Sequence, residues 1–177
     1  MGYAVEMYFD ETTENKIKRY FKLLSDLGLS KTIYEMGTRP HISLAVYNEV
    51  DLNNLSEKLQ EFLNDQKPIK LSFVSISIFP TEPSTVFLAP SLSEELLKIH
   101  RDYHDFTKEF LKAEWTYYLP NHWIPHCAIA VEISKQKAAN IVDVILKDFS
   151  QFDFFIEKVG IVEFWPLKEM RTFSLKD

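Results

Sequence analysis

The sequence predicts an α+β fold assembled from two related halves, and three observations lead to this prediction. Segments with the two-residue period of a strand alternate with segments of helical period along the chain. The heptapeptide Pro-His-Ile-Ser-Leu-Ala-Val at 40–46 returns as Pro-His-Cys-Ala-Ile-Ala-Val at 125–131, with four of seven residues identical. No Pro/Gly/Ser-rich linker separates the two copies, so we expect residues 1–177 to form one domain of two interleaved lobes, with one histidine strand in each.

Local patterns predict the elements of the first half. Residues 3–9 alternate in the manner of a strand. Asp10 and Thr12 or Thr13 offer an N-cap for a helix that continues to a glycine stop at Gly28. The other predicted elements are a short strand at 32–37, the first histidine strand at 39–47, a helix at 51–64, a long strand at 68–79 and its antiparallel partner at 85–89.

The second half repeats this alternation. Ser91 or Ser93, followed by two glutamates, is typical of a helix start, and we expect that helix to reach about Leu111. Ser134 is expected to cap the next helix. The other predicted elements are an aromatic loop at 115–120, the second histidine strand at 126–133, a long strand at 152–163 and a closing strand at 171–175.

Composition narrows the possible functions. Twenty basic and 26 acidic side chains give a net charge of −6, which disfavours a broad surface for duplex nucleic acid. A small phosphate ligand or an RNA end remains possible, because it needs only a few local donors. Cys127 is the only cysteine, which excludes an intrachain disulfide and a cysteine metal cluster. With no signal-peptide pattern and no apolar run near the ~20 residues that span a bilayer, we expect a cytoplasmic protein.

One face of the first histidine strand is unusually polar. In a strand over 39–47, Ile42, Leu44 and Val46 would point toward the core. The opposite face would carry Arg39, His41, Ser43, Ala45 and Tyr47. Such a row is a poor core face but suits the lining of a groove, in which Tyr47 and Arg39 are candidate ligand contacts.

The second histidine strand repeats the pattern in a simpler form. His126, Ala128, Ala130 and Glu132 would share one face, while Cys127 falls on the core face as a buried, inert thiol. A pseudo-twofold pairing of the two strands would bring His41 and His126 across one groove. Two imidazoles there form a complete acid–base set, because one can accept a proton while the other donates one. This chemistry needs no metal and no cofactor.

The paired His-x-Ser/Thr pattern in two half-chain repeats resembles the 2H phosphoesterase superfamily, which includes the 2′-5′ RNA ligase-like (LigT-like) proteins and cyclic phosphodiesterases. The resemblance implies a bilobed fold in which two antiparallel sheets face a central groove, with helices on the outer faces. It also implies action on 2′,3′-cyclic or 2′-5′ phosphodiesters. By matching positions, His41 and His126 would be the catalytic pair, and Ser43 would donate a hydroxyl hydrogen bond to the phosphate.

The sequence departs from that family pattern at Ala128, where a second Ser or Thr would stand. A hydrogen bond to a charged group contributes roughly 1.5–3 kcal/mol, so its loss would cost about one to two orders of magnitude in rate or binding. Water or a nearby donor could fill the space, and Arg39 is the candidate from the same face as His41. Arg39 as a solvated charge at the strand entry is an equally good interpretation.

Other side chains have plainer interpretations. His100 and His104 have the i, i+4 spacing of metal ligands, but without a zinc signature around them we expect a solvated helix face. His122 is expected in a loop at the edge of the groove. Core packing is the default expectation for the aromatic side chains of Tyr117, Tyr118, Trp123 and Trp165.

We therefore expect a monomeric phosphodiesterase that acts on a small nucleotide or an RNA end. A nucleotide-binding module that has lost catalysis, with Ala128 as the trace, is the alternative from a different class. A metal-dependent hydrolase that uses His100 and His104 is a third possibility. Which histidine is the acid and which the base stays open at this point.

Overall fold

Seven strands form one antiparallel sheet in the computed structural model, which describes residues 2–176. The strands are β1 (Gly2–Phe9), β2 (His41–Tyr47), β3 (Ile69–Phe79), β4 (Ser84–Pro90), β5 (Cys127–Ile133), β6 (Phe152–Phe164) and β7 (Lys168–Ser174). The helices are α1 (Glu11–Asp26), α2 (Thr32–Glu35), α3 (Leu52–Leu63), α4 (Glu94–Phe106) and α5 (Lys135–Leu146), with 3₁₀ helices at Lys108–Ala113 and Thr116–Tyr118.

The long strand β6 joins the two halves of the sheet. The strand order is β2-β1-β6-β3-β4-β5, and β7 also pairs with β6. Residues 152–156 of β6 pair with β3, whereas residues 158–163 pair with β7 along the same edge. The α+β architecture is confirmed, and the two expected sheets are joined in one hydrogen-bonded sheet.

An aromatic cluster lies where β6 meets β1 and β3. The ring centroids of Phe9, Phe73 and Phe154 are 4.2 to 5.5 Å apart, and all three rings are buried. Such pairs add roughly 0.5–1.5 kcal/mol each beyond the area they bury. The junction between the halves is therefore part of the core.

The helices begin where the sequence predicts caps. The side chains of Asp10, Ser93 and Ser134 each accept a hydrogen bond from the backbone amide three residues later, and Asp51 does the same for α3. Each bond satisfies an amide that has no partner within its helix. The predicted caps at Asp10, Ser93 and Ser134 are confirmed.

Two predicted elements differ in the structure. Residues 32–37 are not a strand, because Thr32–Glu35 form a single helical turn. Gly37, whose φ is +66°, follows the C-cap residue Met36. Helix α4 ends at Phe106 instead of near Leu111, and a 3₁₀ helix over Lys108–Ala113 follows it. In the described part of the chain, no helix combines the length and apolarity that a bilayer crossing requires.

The aromatic segment at 113–123 covers the free edge of β2. Backbone amides of Asn48 and Trp115 donate to Ala113 and Val46, respectively, and the indole Nε1 of Trp123 donates to the carbonyl oxygen of Ser43 at 3.0 Å. This segment leads directly into β5. The two histidine strands, β2 and β5, are the first and last in the strand order of the sheet. Residues of both nevertheless line one groove.

Candidate active site

A groove of about 670 Å³ is lined by residues of both histidine strands. His41 and Ser43 belong to β2. Ala128 belongs to β5, and His126 is the residue immediately before that strand begins. The remaining wall is largely apolar and aromatic, including Phe79, Trp115, Tyr117, Tyr118 and Ile124. The structure thus brings both predicted histidines into one groove.

His41 and His126 are oriented in the same way. Nδ1 of His41 lies 2.7 Å from the carbonyl oxygen of Arg39, and Nδ1 of His126 lies 2.7 Å from that of Ile124. In both cases the acceptor is two residues back, with a proline between. A carbonyl oxygen can only accept, so Nδ1 carries the hydrogen and Nε2 is the nitrogen free to gain or lose a proton.

The surroundings of the two rings differ. His126 packs edge-on against Phe79 and Phe87, with centroid distances of 4.9 and 5.3 Å. Burial lowers the pKa of His126, and the nearby charge of His41 lowers it further. His41 instead has Nε2 3.4 Å from Oε1 of Glu6.

Glu6 is a groove residue that the sequence interpretation did not single out. It is buried on β1, and its other oxygen accepts a hydrogen bond of 3.0 Å from the Tyr8 hydroxyl. Burial raises the pKa of Glu6, while His41 and the Tyr8 hydrogen bond oppose that rise. The available signal was a single carboxylate within the apolar strand at 3–9.

Ser43 lies beside His41 on the groove face. It is almost fully buried, and Tyr118 from the aromatic segment approaches its side chain. Burial raises the pKa of Tyr118, an effect that the Ser43 hydroxyl opposes. The predicted hydroxyl is therefore in the groove, two residues beyond the histidine.

The predicted alternation fails beyond Ser43, because β2 contains a bulge. Val5 pairs with Ala45 and Glu6 pairs with Ser43, which leaves Leu44 as the extra residue. The shift moves Tyr47 to the core face, where it is fully buried with its hydroxyl 2.9 Å from that of Tyr103. The expectation that Tyr47 lines the groove is therefore wrong.

A bulge occurs at the equivalent position of β5. Phe87 pairs with Ala128 and Val86 pairs with Ala130, so Ile129 is the extra residue. Beyond it Val131 lines the groove, whereas Ala130 is buried. Both histidine strands thus turn their polar face away from the groove three residues after the histidine.

Arg39 lines the groove but is held by other groups. Its Nε and one terminal nitrogen each lie 2.6 Å from Oε1 of Glu14, and its guanidinium lies over the Tyr8 ring at 4.0 Å. Two of its donors are therefore already used. Arg39 is not a solvated charge, and it is a poor replacement for the hydroxyl absent at Ala128.

The sequence profile of the 2′-5′ RNA ligase superfamily matches residues 34–164. This chain belongs to that superfamily. The resemblance to the 2H phosphoesterases is thereby confirmed, and both histidine strands lie within the matched range. Glu6 and strand β7 lie outside it.

Solved structures of this fold align with nearly the whole chain. A phosphoesterase superposes with a TM-score of 0.63 and 8% identity over 99% of this chain and 98% of its own. Escherichia coli LigT complexed with 3′-AMP gives 0.62 and 8%, and Thermus thermophilus TT0787 gives 0.62 and 14%, each over 99% and 98% of the two chains. No curated protein matches the sequence.

His100 and His104 are buried. The expectation that they lie on a solvated helix face is therefore wrong. Their Nε2 atoms lie 3.0 Å apart, and Nδ1 of His104 lies 3.1 Å from Oε2 of Glu114. The His100 ring stacks on Trp123 at 3.9 Å, and its Nε2 lies 2.8 Å from the carbonyl oxygen of Tyr118. The nitrogens bond to each other and do not converge on a shared ion position.

The remaining candidates are placed as follows. Cys127 is fully buried with its pKa raised to about 12 by burial, which confirms an inert thiol. His122 lines the groove as expected. Tyr117 and Trp165 are 80% and 75% exposed, so core packing is wrong for both. Of these two exposed rings, Tyr117 lines the groove.

Proposed function

We propose that this protein is a metal-independent phosphodiesterase of the two-histidine type. Its substrate would be a 2′,3′-cyclic or 2′-5′ phosphodiester of a small nucleotide or an RNA end. The observation that carries this proposal is the matched pair of imidazoles, His41 and His126, in one groove with the same Nδ1 hydrogen bond. Each has Nε2 available for proton transfer.

The reaction requires two proton transfers at phosphorus. One imidazole takes a proton from the attacking water, and the other gives a proton to the ribose oxygen as its bond to phosphorus breaks. Ser43 donates a hydrogen bond to a phosphate oxygen from the same face as His41. Because the two rings supply both transfers, the chemistry needs no metal ion or cofactor.

The groove wall suits a nucleoside attached to the phosphate. Trp115, Tyr117 and Tyr118 offer aromatic faces, and base stacking on such faces contributes about 1–3 kcal/mol per base. E. coli LigT has been crystallised with 3′-AMP, which supports a small nucleotide ligand for this fold. The net charge of −6 disfavours extended duplex as a substrate.

The test is an assay of 2′,3′-cyclic nucleotides and 2′-5′-linked dinucleotides after treatment with a chelator. We expect turnover by the untreated and the chelator-treated protein alike. His41→Ala and His126→Ala should each lose about 10²–10⁴-fold in rate, the contribution typical of a general acid or base. His122→Ala is the matched control, a histidine of the same groove outside the pair. Full activity of either His41→Ala or His126→Ala would refute the mechanism.

A second candidate function is a nucleotide-binding module without turnover. Ala128 favours it, because this position in the groove lacks the hydroxyl that the first strand provides through Ser43. Calorimetry separates the two functions. Binding of a cyclic nucleotide without turnover, unrestored by Ala128→Thr, would support the binding module.

A further inference from the structure

The groove contains a buried carboxylate where a phosphate is expected to bind. Glu6 is only 6% exposed, and it lies on β1 directly opposite Ser43 of β2. A carboxylate repels a phosphate anion and is costly to bury without a partner. Since Glu6 lies outside the range that the superfamily profile matches, the two-histidine pattern itself does not account for it.

The contacts of Glu6 divide between its two oxygens. Oε2 accepts the Tyr8 hydroxyl at 3.0 Å, and Oε1 lies 3.4 Å from Nε2 of His41. Tyr8 is itself held beneath the Arg39 guanidinium, which Glu14 anchors. The Glu6 side chain is therefore oriented so that one oxygen faces the reactive nitrogen of His41.

We propose that Glu6 is a positioning residue that keeps a proton on Nε2 of His41, which makes His41 the general acid and His126 the general base. This assignment rests on the proposed phosphodiesterase function. The 3.4 Å separation is longer than a strong hydrogen bond, so the proton stays available for transfer to a substrate. A carboxylate at this distance favours the protonated imidazole by simple charge attraction.

His126 has the opposite surroundings. Its ring packs edge-on against both Phe79 and Phe87, and burial favours its neutral form. With Nδ1–H bonded to the carbonyl oxygen of Ile124, Nε2 of His126 has a free lone pair. A neutral ring of this kind is suited to accept a proton.

In hydrolysis of a 2′,3′-cyclic phosphate, Nε2 of His126 takes a proton from water as the water oxygen bonds to phosphorus. The bond from phosphorus to one ribose oxygen breaks, and that oxygen receives the proton from Nε2 of His41. Each turnover leaves His126 protonated and His41 neutral. His126 then loses its proton to solvent and His41 gains one from solvent, and Glu6 favours this protonated form of His41.

Several ionisable groups face this pair and contribute to its pH dependence. Burial raises the pKa of Glu6 and the charge of Glu169 adds to that rise, whereas His41, Tyr8 and Arg39 oppose it. The charge of Glu6 in turn raises the pKa values of Tyr118 and Cys127. His126 faces His41 across the groove. Glu169 on β7 supplies a matched control, because it is a second carboxylate near Glu6 that makes no described contact with His41.

The first experiment compares Glu6→Gln with Glu169→Gln in the full-length protein. We expect Glu6→Gln to lower the protonated fraction of the His41 ring at pH 7, read from imidazole ¹⁵N shifts assigned with His41→Ala. The alkaline limb of its kcat/KM profile should move to lower pH, with lower activity at pH 7, because the carboxylate 3.4 Å from Nε2 of His41 has been removed. Glu169→Gln should not lower the protonated fraction of His41 or move the alkaline limb to lower pH, because the charge of Glu169 only raises the pKa of Glu6. An unmoved ¹⁵N shift in folded Glu6→Gln would overturn the proposal.

The second experiment separates the acid from the base by the leaving group. A p-nitrophenyl nucleotide phosphodiester expels a stable phenolate that needs no protonation. His41→Ala should therefore lose at least tenfold less activity on this substrate than on a cyclic nucleotide, whereas His126→Ala should lose the same factor on both. The reverse pattern would overturn the assignment.

These experiments also cover failure at other points. If Glu6→Gln does not fold, Glu6→Asp keeps the charge, and the leaving-group comparison tests the assignment without any change at Glu6. If the unmodified protein hydrolyses no phosphodiester, the proposed function fails. The ¹⁵N comparison then still decides whether Glu6 holds the proton on His41.

Discussion

Trp123 and Ser43 connect the segment before β5 to β2 by one hydrogen bond, from the indole Nε1 to the Ser43 carbonyl oxygen at 3.0 Å. The face of the same Trp123 ring stacks on His100 at 3.9 Å. Trp123 thus joins the segment that leads into β5 both to the first histidine strand and to helix α4. This contact leads to the first prediction.

Trp123→Phe should destabilise the protein and disturb the groove. It keeps an aromatic ring on His100 but removes the donor to Ser43, which should lower the free energy of unfolding by about 1–2 kcal/mol. Chemical denaturation measures this change, and kcat/KM for a cyclic nucleotide should fall with it. Trp115→Phe is the control for stability, because its indole bonds to Asn48 at the surface and should contribute less. Equal destabilisation by both substitutions would contradict this role of Trp123.

Ala128→Thr should raise phosphodiesterase activity. The side chain at position 128 lines the groove, so a hydroxyl there can donate to the substrate phosphate, and we expect a gain in kcat/KM of about tenfold. Ala128→Val has nearly the same shape without the donor and should give no gain. If the valine variant gains as much as the threonine variant, packing against Phe87 and not hydrogen bonding is responsible.

Tyr47→Phe should affect stability and not substrate binding. The substitution removes one of two buried hydroxyls that lie 2.9 Å apart and leaves Tyr103 without this partner. We expect the free energy of unfolding to fall by about 1–3 kcal/mol, with KM for a cyclic nucleotide unchanged. A raised KM at full stability would mean that Tyr47 contacts the ligand after all.

His100 should make folding stability depend on pH. Burial lowers its pKa from the usual 6.5 to about 3, so the unfolded chain binds a proton at this position before the folded protein does. This contribution to stability is complete above pH 6.5 and is lost as pH falls toward 3, by about 2 kcal/mol at pH 5. His100→Gln should lack this part of the dependence.

The measurement is the free energy of unfolding of both proteins at pH 7 and pH 5. Glu6 and Glu114 act in the opposite direction, because their raised pKa values favour the folded state at lower pH. Both proteins share these two groups, so the difference between them isolates His100. An identical pH dependence in the two proteins would show that the pKa of His100 does not change on unfolding, which would contradict the prediction.

Local interactions account for the features that were predictable. The caps at Asp10, Ser93 and Ser134 join residues only three positions apart, so the sequence contains both partners of each bond. The repeated Pro-His pattern is equally local, since each histidine is oriented by a carbonyl oxygen two residues back. Because both partners of these bonds lie close together in the chain, the helix starts and the two histidine motifs could be predicted from the sequence.

What the sequence by itself determined, then, is the fold class, the helix starts and the identity of the two imidazoles. Only the tertiary structure decided that Glu6 faces His41, that Tyr47 belongs to the core, and that His100 is buried. The first depends on the pairing of β1 with β2, the second on a bulge that reverses the alternation, and the third on the 113–123 segment that folds over α4. These contacts join residues distant in the chain, so no local period encodes them, and only the assembled sheet brings the partners together.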